Sequence, residues 1–226
     1  MTTAYVVVLA VAGLVAGVLL RARLATLDHR YDDEEGTRTL GLAWVPVVCA
    51  LVVPLVAVGG WRLGGWTLLV LQAVVALVLV ALAAVDLDVH RLPDRMTLPL
   101  LATAVVGLAV VVAVTADTSG GVRALIAGVG LGAVYLVLAV LGGGSGMGLG
   151  DVKLAPSLGL VLGFHSWSHV VVATALAFVT GTLWGVWLLV SKRGGMRSAF
   201  AFGPHMIGAA LVVLAMSGIG PVLDQL

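Results

Sequence analysis

Residues 66–94 read WTLLVLQAVVALVLVALAAVDLDVHRLPD. The first twenty carry no charge, and their apolar residues fall on every side of a helix instead of along one stripe. About 20 such residues are what an α-helix needs to cross the roughly 30 Å hydrocarbon core of a bilayer. The strict alternation of polar and apolar residues that marks a membrane β-barrel is missing. The run then stops on Asp86, and the turn-forming Leu92-Pro93-Asp94 follows.

The remainder of the chain repeats this pattern. It has 226 residues, 61% hydrophobic and only 10% charged, with a mean hydropathy of +1.18. A soluble domain carries about 25% charged residues. The reading is therefore all-α: a polytopic helical integral membrane protein with about eight transmembrane helices and the lipid bilayer as its surroundings. Spans are expected at about 4–20, 43–60, 66–85, 97–115, 122–142, 154–164, 169–190 and 206–222. The sixth is short and contains Pro156. Residues 1–65 hold two spans and a short polar loop, and residues 66–226 form a six-span core. The opening MTTAYVVVLA lacks a basic start, so it reads as a retained span and not as a secretory signal.

A net charge of +1 gives no basis for nucleic acid as a partner. Cys49 stands alone, so neither an internal disulfide nor a CxxC zinc ribbon is available, and it reads as a small buried hydrophobe. With eight spans and an outside N-terminus, the inner loops carry Arg21, Arg23, Arg30, Arg38, Arg91, Arg95, Lys153, Lys192, Arg193 and Arg197. Only Arg62 and Arg123 fall outside. This positive-inside bias predicts a multi-pass protein of the plasma (inner) membrane with both termini outside. Trp44, Trp61, Trp66 and Trp167 fall near span ends, where indole prefers the interface. Paired glycines at Gly13/Gly17, Gly128/Gly132, Gly159/Gly163 and Gly181/Gly185 suit close helix packing.

Acids are scarce. Asp32 to Glu35 sit in a polar inner loop and read as solvated, while Asp117 and Asp224 fall in outer segments. That leaves Asp86, Asp88, Asp94 and Asp151. An ionised group at the centre of a membrane helix costs roughly 2.5–3.5 kcal/mol on insertion scales, so acids there tend to be functional. Asp151 ends the run GGGSGMGLGD, whose glycines (Gly142, Gly143, Gly144, Gly146, Gly148, Gly150) let another backbone approach. A flexible loop whose aspartate caps the next helix is the plainer account of the same residues. From His165 inward to Asp151 is fourteen residues, about 21 Å at 1.5 Å per residue. Asp151 is therefore expected somewhat below the inner membrane surface. No GxxxxGK[ST] or GxGxxG register fits the glycine run, so it gives no basis for a phosphate loop. His29, His90, His165, His169 and His205 are scattered, the last three in or beside apolar runs; no metal site and no cofactor are expected.

The two motifs DLDVHRLPDRMTLPL and GMGLGDVKL resemble those of the type IV prepilin peptidase family, GxGD-type intramembrane aspartic peptidases. Asp86 stands at the leading acid of the family's first motif, ahead of Leu92, Pro93 and Asp94. Gly148, Gly150, Asp151 and Lys153 match the second. FAFGPH at 200–205 resembles a late segment through Phe202, Gly203 and Pro204. The resemblance spans roughly residues 66 to 215. It implies an aspartic endopeptidase that cuts the leader from a prepilin or pseudopilin-like protein at the cytoplasmic face, with Asp86 and Asp151 as the catalytic pair. Long bacterial members carry two CxxC pairs and a methylating activity in the first inner loop. This chain has no cysteine there, so peptidase activity alone is expected.

Peptide hydrolysis by two aspartates needs one carboxylate to take a proton from water and one carboxylic acid to protonate the carbonyl oxygen. Two acids about 3 Å apart share one proton and titrate as a pair. Asp88 rivals Asp86, but residues i and i+2 do not share a helix face. Asp94, after Pro93, reads as the start of a helix. Lys153 is placed either to orient the pair or merely to add to the inner positive charge. The competing class is a proton- or cation-coupled transporter built on paired intramembrane acids; a structural membrane subunit with capping acids is a third.

Overall fold

The computed structural model describes residues 3–26, 41–142, 147–191 and 201–223. Asp32 to Glu35, Gly143, Gly144, Gly146, Asp224, His29, Arg30, Arg38, Lys192, Arg193 and Arg197 lie outside these residues. All regular structure among the described residues is helical: α1 (Thr3–Leu24), α2 (Trp44–Val89), α3 (Asp94–Thr115), α4 (Thr118–Leu141), α5 (Leu149–His165), α6 (Trp167–Val190) and α7 (Gly203–Leu223). Five of them, α1, α2, α3, α4 and α6, are long and apolar enough to cross a membrane. The protein is a polytopic helical membrane protein.

The expected second and third spans lie within α2, which reverses at Gly64 and Gly65. Gly65 takes φ +62°, a conformation that side-chain-bearing residues rarely adopt. A Cβ placed on Gly60 would lie 3.1 Å from the main-chain oxygen of Leu68, whereas a straight helix would hold these residues about 12 Å apart. The loop expected at 61–65 is thus compressed to two glycines, with Trp66 exposed beside them.

The sixth expected span is longer than its apolar stretch suggested. Helix α5 begins at Leu149, takes in Pro156, and is buried without a break from Ser157 to His165. It is the centre of the bundle and packs most extensively on α4. That contact is a glycine seam. A Cβ on Gly159 would stand 2.5 Å from the Ala127 carbonyl oxygen and 2.8 Å from the Gly128 Cα, and the Pro156 ring fills the space over Gly132. Gly13 and Gly17 likewise meet Cys49 and Pro46 of α2. The fourth pair differs: Gly181 meets the Phe202 ring, but Gly185 faces open space.

The bundle therefore has two ends. One gathers the C-terminus of α2 and the N-termini of α3, α5 and α7. The far end gathers the α2 reversal, the α3–α4 turn and the α5–α6 turn. In the α3–α4 turn Asp117 caps α4, its carboxylate accepting from the Gly120 N–H at 2.9 Å and from the Ser119 hydroxyl at 2.8 Å. These bonds hold its pKa below the usual carboxylate value. Arg123 of α4 donates to the last carbonyls of α5, those of Gly163 (2.7 Å), Phe164 (2.5 Å) and His165 (3.2 Å). A guanidinium there satisfies acceptors that the helix leaves open and opposes its negative dipole end.

Candidate active site

Asp86 lies in the last turn of α2, at the end of its helix. It is only 3% exposed. The helix closes at His90, whose φ of 52° is left-handed and whose N–H donates to the Asp86 carbonyl at 2.9 Å. Leu92 and Pro93 then carry the chain into α3. Pro93 is extended (φ −70°, ψ 137°) and Asp94 opens the helix, where a carboxylate complements the positive dipole end. Asp88, two residues beyond Asp86, is half-buried and on another face.

Asp151 lies in the first turn of α5 and is 6% exposed. Its N–H donates to the Gly148 carbonyl at 3.1 Å, and its carboxyl folds back to the Gly148 main chain. The two motif glycines act differently. At Gly150 a Cβ would lie 2.9 Å from the Cβ of Leu92, so only glycine lets the α2–α3 corner press against α5. At Gly148 the nearest group is the Asp151 carboxyl itself, 3.5 Å away.

The structure brings the two acids together: Asp151 is the charged group whose field reaches Asp86. It also joins the motifs at the surface, because Lys153 Nζ donates to both carboxylate oxygens of Asp94, at 2.6 and 2.8 Å. A third helix end completes the site. The amide of Gly203, which opens α7, bonds the Asp86 carboxyl. A Cβ there would stand 2.3 Å from Asp86 Oδ2 and 3.2 Å from Leu92 Cδ1. Asp86 Oδ2 is buried and has no hydrogen-bond partner among the described residues. Such orphaned atoms need an explanation, and catalysis is one.

Residues 73–186 match the model of the type IV leader peptidase family. The chain belongs to that family. Relatives include the prepilin leader peptidase/N-methyltransferases of Aeromonas salmonicida (34% identical over 145 residues, 61% of this chain and 46% of the relative) and Pseudomonas putida (32% over 171 residues, 75% and 57%). That of Xanthomonas campestris pv. campestris is 31% identical over 168 residues, 74% of this chain and 57% of the relative. The chain spans about half the length of the curated relatives it matches. No solved structure matches it.

The family match runs from the second arm of α2 into α6 and takes in both acids, while Gly203 lies beyond it. Two further residues carry no sequence signal except being lone polar groups in apolar runs. Tyr135 of α4 is 1% exposed, packs against Phe178 and Phe202 with ring centroids 5.9 and 6.4 Å away, and lies within the field of Asp151. Gln72 of α2 is fully buried, and its amide N–H donates to His165 Nε2 at the far end of the bundle. His165 is thus a buried residue at the end of α5. Beside it, both ring nitrogens of His169 are engaged, Nδ1 by Ser166 and Nε2 by Ser217. Among the described residues no three His, Cys, Asp or Glu cluster to hold a metal.

Proposed function

We propose that the protein is a membrane aspartic endopeptidase that removes the leader peptide from prepilin or pseudopilin-like proteins, with Asp86 and Asp151 as its catalytic pair. The observation that carries this reading is the convergence of two buried carboxyls, from different helices, at one end of an apolar bundle. The names of the relatives supply the substrate class.

In the proposed mechanism the pair holds one proton, because two adjacent carboxylates do not both ionise. The carboxylate takes a proton from a water molecule, whose oxygen attacks the scissile carbonyl carbon. The carboxylic acid gives its proton to the carbonyl oxygen. The tetrahedral adduct collapses, the C–N bond breaks, and the departing nitrogen takes back a proton from the pair. The Gly203 amide would hold Asp86 in place through these transfers, a preorganised donor in a site with little competing water. Gly148, Gly150, Pro93 and Leu92 set the approach of the helices, and the Lys153–Asp94 pair ties α5 to α3.

The same reading places the site at the cytoplasmic face of the inner membrane, with the N- and C-termini on the other side and a substrate helix lying in lipid. Methylation of the new N-terminus is not part of it, since the segment between α1 and α2 has no cysteine. Packing between the two ends speaks for hydrolysis over ion relay: Val75, Leu79 and Leu82 of α2 and Leu154, Leu158 and Val161 of α5 are all buried. A relay would have to cross this aliphatic layer.

The deciding experiment is cleavage of a prepilin-type substrate by purified wild type, Asp86→Asn, Asp151→Asn and Asp88→Asn. Wild type and Asp88→Asn are expected to cut, and the other two to lose activity by at least about 10⁴-fold, as when one member of an acid–base pair is removed. Equal cutting by all four would end the proposal.

A further inference from the structure

We propose that Gln72, His165 and Arg123 form a clamp at the far end of the bundle that sets the register of α5 against α2 and so brings Asp151 level with Asp86. This rests on the catalytic pair proposed above. The geometry is one of equal arms. From Gln72 to Asp86 along α2 is fourteen residues, and from His165 back to Asp151 along α5 is also fourteen, about 21 Å each. The two helices are thus pinned by a polar contact at one end, and their acids meet at the other.

Elsewhere α5 is fitted to α4 along the glycine seam and tied to α3 by the Lys153–Asp94 pair. Its largest contact, the seam with α4, seats Pro156 over Gly132 and Leu160 over Gly128, which fixes its height against α4 and not against α2. Toward α2 the structure gives α5 a polar contact, Gln72 to His165. A slip of one residue would move Asp151 by about 1.5 Å and turn it by about 100°, off the Asp86 face. A hydrogen bond between buried groups opposes that slip, because breaking it strands an amide and an imidazole in apolar surroundings. Polar residues in helix interfaces are well attested as register devices. Gln72 is fully buried and His165 is 8% exposed, and a Cβ on Gly60 would occupy the place of Gln72 Oε1. Arg123 adds three bonds to the same helix end, from α4. α5 is therefore held at its far end from two directions.

The test separates register from stability. Replacing both buried partners with apolar residues of similar shape (Gln72→Met with His165→Phe) strands no polar group, so the fold should persist. Arg123→Met removes the second arm alone. Each is measured in two ways: steady-state cleavage of a prepilin-type substrate, and thiol cross-linking by a short bifunctional reagent between Asp86→Cys and Asp151→Cys in a Cys49→Ala background. The clamp predicts a 10–100-fold lower kcat, the usual scale for a misplacement of about 1 Å, with KM within twofold, and cross-linking slowed at least threefold. Wild-type cross-linking rates in both backgrounds would overturn it. Should the double variant not fold, Arg123→Met decides alone. Should the wild type not cleave the substrate, the catalytic reading fails while the cross-linking still decides the clamp.

Discussion

At Gly203 a methyl group is all that separates the native site from a collision. Gly203→Ala puts a Cβ about 2.3 Å from Asp86 Oδ2, so either the carboxyl or the start of α7 must move. We expect at least a tenfold fall in kcat with little change in the amount of folded protein. Gly208→Ala, one turn further along the same helix, meets nothing within 4 Å and should be silent. Equal loss in both would mean that α7 resists any added bulk and that the contact with Asp86 is incidental. The two acids were legible in the sequence because charge is conspicuous in apolar runs and expensive in lipid. The partners that hold them were legible only in part. Leu92 and Gly203 stood in motif-like segments and Tyr135 carried no signal, and what each does for the acids emerges only where the helix ends meet.

The helices were legible from the same physics, and their ends were not. Apolar runs mark where a helix meets lipid, but the hydrogen-bond ladder continues past the last apolar residue. This is why α2 and α5 extend past the apolar runs at 66–85 and 154–164 and take in the acids at their ends. The central position of α5 was equally hidden, since a helix buried on all sides shows no periodicity to distinguish it from its lipid-facing neighbours. Its seam with α4 makes a direct prediction. Gly159→Val forces side-chain atoms into the Ala127 carbonyl, and should destabilise by at least the roughly 1–3 kcal/mol of an overpacked core, read as lost thermal stability in detergent. Gly130→Val, with nothing within 4 Å, should melt like wild type. At the start of α4, Asp117→Ala should cost about 0.5–1 kcal/mol, the low end for a lost cap because the group is solvent-screened. Its pKa is lowered in the folded state, so that contribution is present above the unfolded carboxyl range near pH 4 and is lost as pH falls through the folded value. Thermal melts of the two proteins should therefore differ at pH 6 and converge as the pH falls through the folded value.

The molecule as a whole is organised around one short helix with a different chemistry at each end. Acids and helix N-termini gather where α5 begins; histidines, serines and a guanidinium gather where it ends, with buried aliphatic side chains between. Charge counting along the sequence assigns the first end to the cytoplasm; at the far end Arg62, beside the α2 reversal, departs from that rule, and so does Arg123. Its departure has a local cause, because the guanidinium is spent on the carbonyls that close α5. The assignment can be tested on exposed residues at the two ends of that helix. Leu149 is 69% exposed beside the acids and Trp167 is 51% exposed just past His165, and the native Cys49 is fully buried. In a Cys49→Ala background, Leu149→Cys should react with a membrane-impermeant thiol reagent only in inside-out vesicles, and Trp167→Cys only in right-side-out ones. Labelling of both from one side would mean that α5 does not cross the bilayer. Labelling with the sides exchanged would leave the acids facing away from the cytoplasm, where a leader peptide not yet exported could not reach them.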